Sequence, residues 1–281
     1  MNLIGNTKEE IIAIELQKKQ LELLGELDRV CRQLDVSYCL AYGTAIGAVR
    51  HHGFIPWDDD IDVYMDVEDL EKLQHNAHLF GDGFFLQHPK TDPEYGLIIT
   101  RLRNSNTTLI EETEINRDIN HGIFVDIYPL FNVPKNKFKA DLFNMYAMVY
   151  RLMLYGVAPK NHGGMIKNVS QVLLKAIPRK LSSHFMKICY KTIREEKETG
   201  LISTYIWGEH NKSVPRDYIF PTQKAMFENM EVPIANDYDR YLTAIYGDYM
   251  ELPPVEKRAF HHNYVCVDVD LPYTAYKGEL Y

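Results

Sequence analysis

An α+β fold, a mixed sheet flanked by helices, is what this 281-residue sequence predicts, and three observations predict it. Runs of strand length lie between Val36 and Leu130, interleaved with helical patterns. One long helical periodicity precedes them, and a second, strongly basic one follows. The composition, 46% hydrophobic and 25% charged, is that of an ordinary globular protein and speaks against a disordered or collagenous chain.

Residues 8–34 space their apolar side chains (Leu16, Leu23, Leu24, Leu27, Val30 and Leu34 among them) as one amphipathic helix does. "VSYCLAY", Val36 to Tyr42, predicts a strand, and "TAIGAVRHHG" a short helix ended by Gly53. "DIDVYM" predicts a second strand; "DVEDLEKLQHNAHLF" predicts a helix with Asp66 at its N-cap. Further strands are expected at Phe84–His88, Gly96–Arg103, Thr108–Glu111 and Ile123–Leu130. Phe138 to Lys197 is helical, broken by "APKNHGG" and Pro178, and from Leu201 the chain is aromatic and proline-punctuated. The expected division is a catalytic core at 1–134, a basic helical segment at 135–200, and a C-terminal region at 201–281 that completes the core.

The net charge of −8 hides a split. Residues 135–194 carry twelve Lys and Arg against a single acid, Asp141, which implies an anionic partner for that stretch, a membrane surface or a glycan. Four scattered cysteines without a CxxC read as reduced thiols of a cytoplasmic protein and argue against a structural zinc site. The first residues lack the basic start and apolar core of a signal peptide, and no stretch offers 18 uncharged apolar residues.

"WDDDIDVYM" sets four carboxylates into five residues just where a buried strand begins. Alternation puts Asp60 and Asp62 on one face of that strand, about 6–7 Å apart along it. Such a pair repels unless a cation lies between, and an all-oxygen pair suits Mg²⁺ or Mn²⁺. Asp58 and Asp59 read as a solvated turn. Upstream, Gly43 and Thr44 open a helix containing Gly47, and free N–H groups at a helix start suit a phosphate. Asp126, alone in the apolar run "HGIFVDIYPL", becomes a third acid of the site if its strand neighbours the Asp-rich one. Arg101 and Arg103, on one face of "LIITRLRN", are either a solvent-facing basic pair or a phosphate clamp. Arg50 lies near enough to Gly47 to hold phosphate or to neutralise the acids. His51-His52 and His261-His262 read as surface pairs.

The run G-T-x-x-G-x-x-R-x-x-G-F-I-P-W-D-D-D-I-D resembles the signature of the LicD family, relatives of fukutin and fukutin-related protein within the nucleotidyltransferase superfamily. "YGDYMELPP", Tyr246 to Pro254, is similar to that family's C-terminal motif, so the resemblance covers roughly residues 10–130 and 200–260. It implies a polymerase β-like nucleotidyltransferase fold with Asp60, Asp62 and Asp126 as catalytic metal ligands, and it places Arg50 in the site. It implies transfer of phosphocholine from CDP-choline to a sugar hydroxyl of teichoic acid or lipopolysaccharide, releasing CMP. The acceptor glycan would ride on a polyprenyl carrier, and the enzyme would be cytoplasmic and peripheral at the inner membrane face. With choline as the head group, Trp57, Tyr128 and Trp207 are either core aromatics or part of a choline cage. The rivals are another CDP-alcohol donor (ribitol, glycerol), a true nucleotidyltransferase that expels pyrophosphate, and a catalytically silent binding protein.

Overall fold

The computed structural model describes residues 8–155, 179–205, 212–260 and 262–281, and shows a mixed α+β chain. Two compact units divide it: residues 1–87, 99–129 and 217–281 form one, and residues 88–98 and 130–216 the other.

The first unit opens with α1 (Lys8–Leu34). Its inward stripe, Leu16, Gln20, Leu23, Leu24, Leu27 and Val30, is fully buried, while Lys18–Glu15 and Arg29–Glu26 pair on the wet side, as the three-and-four spacing requires. There follow β1 (Tyr38–Leu40), α2 (Tyr42–Arg50), β2 (Asp62–Asp66), α3 (Val67–His75), β3 (Phe84–Gln87), β4 (Thr100–Asn104), β5 (Thr108–Glu111) and most of β6 (Ile123–Asn132). The sheet runs β1-β2-β6-β4-β3. β1 and β2 pair antiparallel with Leu40 opposite Val63, and β4 and β6 pair antiparallel with Arg101 opposite Asp126. β6 is central and covered on both faces, which explains why its sequence is almost continuously apolar.

Several boundaries differ from the sequence expectation: the strand expected at Gly96–Arg103 is Thr100–Asn104, and two others bear on the acids. β2 begins at Asp62, so Asp60 lies in the preceding loop rather than on the strand. α2 begins at Tyr42, two residues early, because Tyr42 turns the chain with a φ of 46° and β1 shrinks to three residues. Asp66 takes the N-cap position of α3.

In the second unit, α4 (Lys137–Tyr155) packs with α5 (Arg179–Arg194), and Tyr150 and Tyr190 bring their rings to 6.3 Å. The last residues of β6 pair with β7 (Leu201–Ser203), which pairs with β8 (Val214–Pro215). After α6 (Arg216–Ile219) the chain returns to the first unit as a hairpin of β9 (Gln223–Phe227) and β10 (Met230–Ile234), then α7 (Tyr238–Tyr246) and β11 (Tyr264–Asp268). β11 pairs antiparallel with β5, with Tyr264 opposite Glu111. No described helix is long and apolar enough to cross a membrane.

Candidate functional site

The acid loop between α2 and β2 is built from behind. Gln17 Nε2 of α1 donates to the Asp58 carbonyl at 2.8 Å, and Gln20 Nε2 to the Asp59 carbonyl at 2.7 Å. Backbone held on one side leaves the carboxylates to gather on the other. Gly43 makes room for them, since a Cβ there would lie 3.1 Å from Asp58 Oδ2. The Thr44 hydroxyl accepts from Asp62 N–H at 2.9 Å, which locks the start of β2 to the start of α2. Asp126 N–H donates to the Ile61 carbonyl at 2.9 Å, so β6 sets the third acid beside the loop as expected.

Asp58 and Asp59 are not the solvated turn their sequence suggests; both are buried. His262 covers Asp59, donating its backbone N–H to Asp59 Oδ2 at 3.1 Å and bringing its Nδ1 to 3.3 Å from Asp59 Oδ1. The same Nδ1 lies 3.8 Å from Asp60 Oδ2, and the Tyr264 hydroxyl donates to the Asp59 carbonyl at 3.2 Å. His262 is therefore part of the site and not a surface residue. Nothing local marks it, because its partners lie two hundred residues upstream. His261 and Trp207 lie outside the described residues.

Electrostatics follow from crowding. Burial pushes Asp58 and Asp62 well above the usual carboxylate range, and the neighbouring acids push further. Burial also carries Asp60 up to about 7 and raises Asp126, against the pull of Arg101. Burial would raise Asp59 too, but the His262 hydrogen bond and charge outweigh it and hold it low. For His262, burial is outweighed by Asp59, Asp60 and Glu111, which lift it to about 9 and keep the imidazole charged at neutral pH.

Asp62 Oδ1 is buried and without a hydrogen-bond partner. A buried carboxylate oxygen left without a donor is costly, and a cation is what satisfies it. The donor set fits a hard divalent ion by this test. Among the described residues, the donors that lie within 4.8 Å of one another are those of Asp59, Asp60 and His262. This tight group differs from the expected Asp60, Asp62 and Asp126, which sense one another electrostatically.

Arg101 and Arg103 are neither solvent-facing nor set out as a phosphate clamp, being 3% and 0% exposed. Arg101 Nε donates to Asp126 Oδ1 at 2.8 Å, and its Nη1 to Glu111 at 2.7 Å and Glu114 at 3.3 Å, with the guanidinium 3.7 Å from the Phe124 ring centre. Arg103 donates to Gln87, the Gly122 carbonyl and Glu114. Strand alternation put both on one face, but β5 and the turn after it place acids over that face. Arg50 donates from Nη1 to the carbonyls of Tyr249, at 2.6 Å, and Glu251, at 3.3 Å. It thereby ties the "YGDYMELPP" stretch to α2. Gly47 is needed for contact, since a Cβ there would lie 2.5 Å from the Gly53 carbonyl oxygen. Trp57 has the Arg258 guanidinium 5.2 Å from its ring centre and His51 edge-on at 6.4 Å.

Tyr128 belongs to a tyrosine layer beside the acids. Its ring meets Tyr42 at 5.1 Å and Tyr64 at 6.5 Å, and Tyr64 meets Tyr241 at 5.8 Å. Tyr42 N–H donates to the Tyr241 hydroxyl, which donates to the Tyr64 hydroxyl; this holds the positive φ of Tyr42 in place. Tyr128 and Tyr246 are half-buried, and Asp62 helps burial raise both phenols.

The family model described as LicD/FKTN/FKRP, nucleotidyltransferase domain, matches residues 35–151. The lipopolysaccharide cholinephosphotransferase LicD of Haemophilus influenzae is 30% identical over 271 residues, covering 89% of this chain and 96% of that protein. An uncharacterised protein of Rickettsia typhi is 33% identical over 78 residues, 26% of this chain and 25% of that one. Another, of Rickettsia prowazekii, is 38% identical over 53 residues, 19% of this chain and 20% of that one.

Proposed function

Because the chain belongs to the LicD family and is with it a transferase, we propose that it moves phosphocholine from CDP-choline to a sugar hydroxyl of a cell-envelope glycan, releasing CMP. The observation that carries this reading is the buried acid cluster with its unpartnered Asp62 oxygen, in a chain that matches a cholinephosphotransferase over nearly its whole length. Lipopolysaccharide, the acceptor in that relative's name, is the acceptor class we favour over teichoic acid, carried on a polyprenyl or other lipid anchor.

Asp60, Asp62 and Asp126 would hold Mg²⁺ or Mn²⁺, with Asp59 and His262 flanking. Such an ion supplies positive charge against the donor's pyrophosphate. The chain's own groups do the rest. The N–H groups at the start of α2, at Gly43 and Thr44, face phosphate oxygens, and Thr44 keeps its hydroxyl proton to donate, since Asp62 N–H uses only an acceptor lone pair. Asp126 takes the proton of the acceptor hydroxyl through the oxygen that Arg101 Nε does not hold. The acceptor oxygen bonds to the phosphocholine phosphorus, the pyrophosphate P–O bond breaks, and its electron pair leaves on CMP. Choline, a quaternary ammonium with no hydrogen-bond donor, rests against the half-buried faces of Tyr128 and Tyr246.

The test is incubation with CDP-choline, Mg²⁺ and a panel of glycan acceptors. The expected result is CMP without pyrophosphate, with CDP-choline outcompeting CDP-ribitol and CDP-glycerol. Pyrophosphate release would instead establish a nucleotidyltransferase, and preference for CDP-ribitol would overturn the choline assignment.

A further inference from the structure

The second unit carries an outward face that nothing in the site uses. On α4, Phe143 and Ala147 are buried and form the inner side. One turn around the helix, Phe138, Leu142 and Met145 recur at i, i+4 and i+7 as a second apolar stripe. Phe138 is 80% exposed and Met145 46%. A large aromatic ring that open to water on a regular helix is unusual, and here it directly follows Lys135 and Lys137, both exposed. α5 repeats the combination, with exposed Lys187 beside Ile188, which is 48% exposed.

Charge decides what fits. The segment 135–194 holds twelve bases against one acid, in a protein whose net charge is −8. An anionic partner is drawn to this segment and repelled by the remainder. Bases alone would suit a nucleic acid or an acidic protein equally. Exposed aliphatic and aromatic side chains on the same helix as the bases suit a lipid interface, where phosphate meets Lys and the acyl boundary takes Phe and Met.

We infer that the α4–α5 pair is a docking surface for anionic lipid bilayers, with Lys135, Lys137 and Lys187 meeting headgroup phosphates and Phe138, Met145 and Ile188 entering the interface. The inference does not depend on which donor or acceptor the enzyme uses.

Flotation of the full chain with vesicles tests it. Vesicles of phosphatidylglycerol and phosphatidylethanolamine are compared with phosphatidylcholine alone, at low salt and at ~0.5 M salt. The wild type is expected to float with anionic vesicles only, and to release in high salt. Each basic residue near the surface is worth about fivefold in partitioning. Lys135→Glu with Lys137→Glu should thus lower binding at least about tenfold, and Phe138→Ser with Met145→Ser by a similar factor. Both variants should keep the wild-type circular dichroism and turnover on a soluble acceptor. Equal binding to phosphatidylcholine, no binding to anionic vesicles at low salt, or wild-type binding by both variants would each overturn it. Wild-type dimers that Phe138→Ser with Met145→Ser converts to monomers, with vesicle binding unchanged, would assign the face to a second copy instead.

Discussion

Arg101→Met tests whether the buried ion network holds the site together. The guanidinium is 3% exposed and bonds three carboxylates, of Asp126, Glu111 and Glu114. Methionine fills much of the volume and keeps contact with Phe124, so the loss is one of charge compensation. Removing one partner of a buried pair costs about 3–5 kcal/mol, because the other charge stays behind unsatisfied. For a chain of this size that lowers the melting temperature by roughly 6–20 °C. The effect must depend on pH. Burial works against the charged form of Glu111, yet Arg101 and its neighbours hold that carboxyl at about 2, below its ordinary 4.5. A depressed acid stabilises the fold above its unfolded pKa and loses that contribution as pH falls through the folded value. The gap between wild type and variant should be full at neutral pH and should close between about pH 4.5 and pH 2. Urea melts followed by circular dichroism across that range measure it. Arg101→Lys should recover only part of the loss, since an ammonium cannot reach three acids with a planar fork. A variant within about 1 kcal/mol of wild type at pH 7, or a gap that is the same at pH 3 as at pH 7, would refute the reasoning.

Asp60→Asn, Asp62→Asn and Asp126→Asn should each lower CMP release at least about a hundredfold. Asp62→Asn should melt no lower than wild type in chelator, since it relieves the repulsion that Asp60, Asp126 and Asp58 exert on this buried acid; near-wild-type turnover in the Asp60 or Asp62 variant would defeat the assignment of these acids. Asp60, carried by burial up to about 7, stays largely protonated below that pH and must lose its proton to bind an ion. Mn²⁺ affinity should therefore climb from pH 6 to pH 8, with proton release visible by calorimetry in two buffers, and a flat affinity would contradict it. Gly47→Ala would press a Cβ to 2.5 Å from the Gly53 carbonyl oxygen and should cost about 1–3 kcal/mol in a denaturant melt. Unchanged stability would show that the loop does not rest on α2.

Features that depend only on neighbours along the chain can be read from the residues alone. The periodicity of α1, the strand at Thr108–Glu111 and the apolar run of β6 are local patterns, and each is found where its spacing places it. The Gly-Thr turn, the Asp-rich loop and the lone Asp126 stand out in the sequence because each is a chemical anomaly in its own segment, and the hydrogen bond from Asp126 N–H to the Ile61 carbonyl sets β6 beside the loop. Partners distant in sequence were not legible. Asp58 and Asp59 read as solvated until Gln17, Gln20, His262 and Tyr264 close around them. Arg101 and Arg103 offered two readings, and the acids of β5 and the turn beyond it decide against both. Arg50 reaches carbonyls two hundred residues away, and β11 is a strand through its pairing with β5, far upstream in the sequence. A side chain's charge and shape are fixed by its residue type, but whether that charge meets water, an acid or a cation is settled only when chain segments far apart in sequence fold against it.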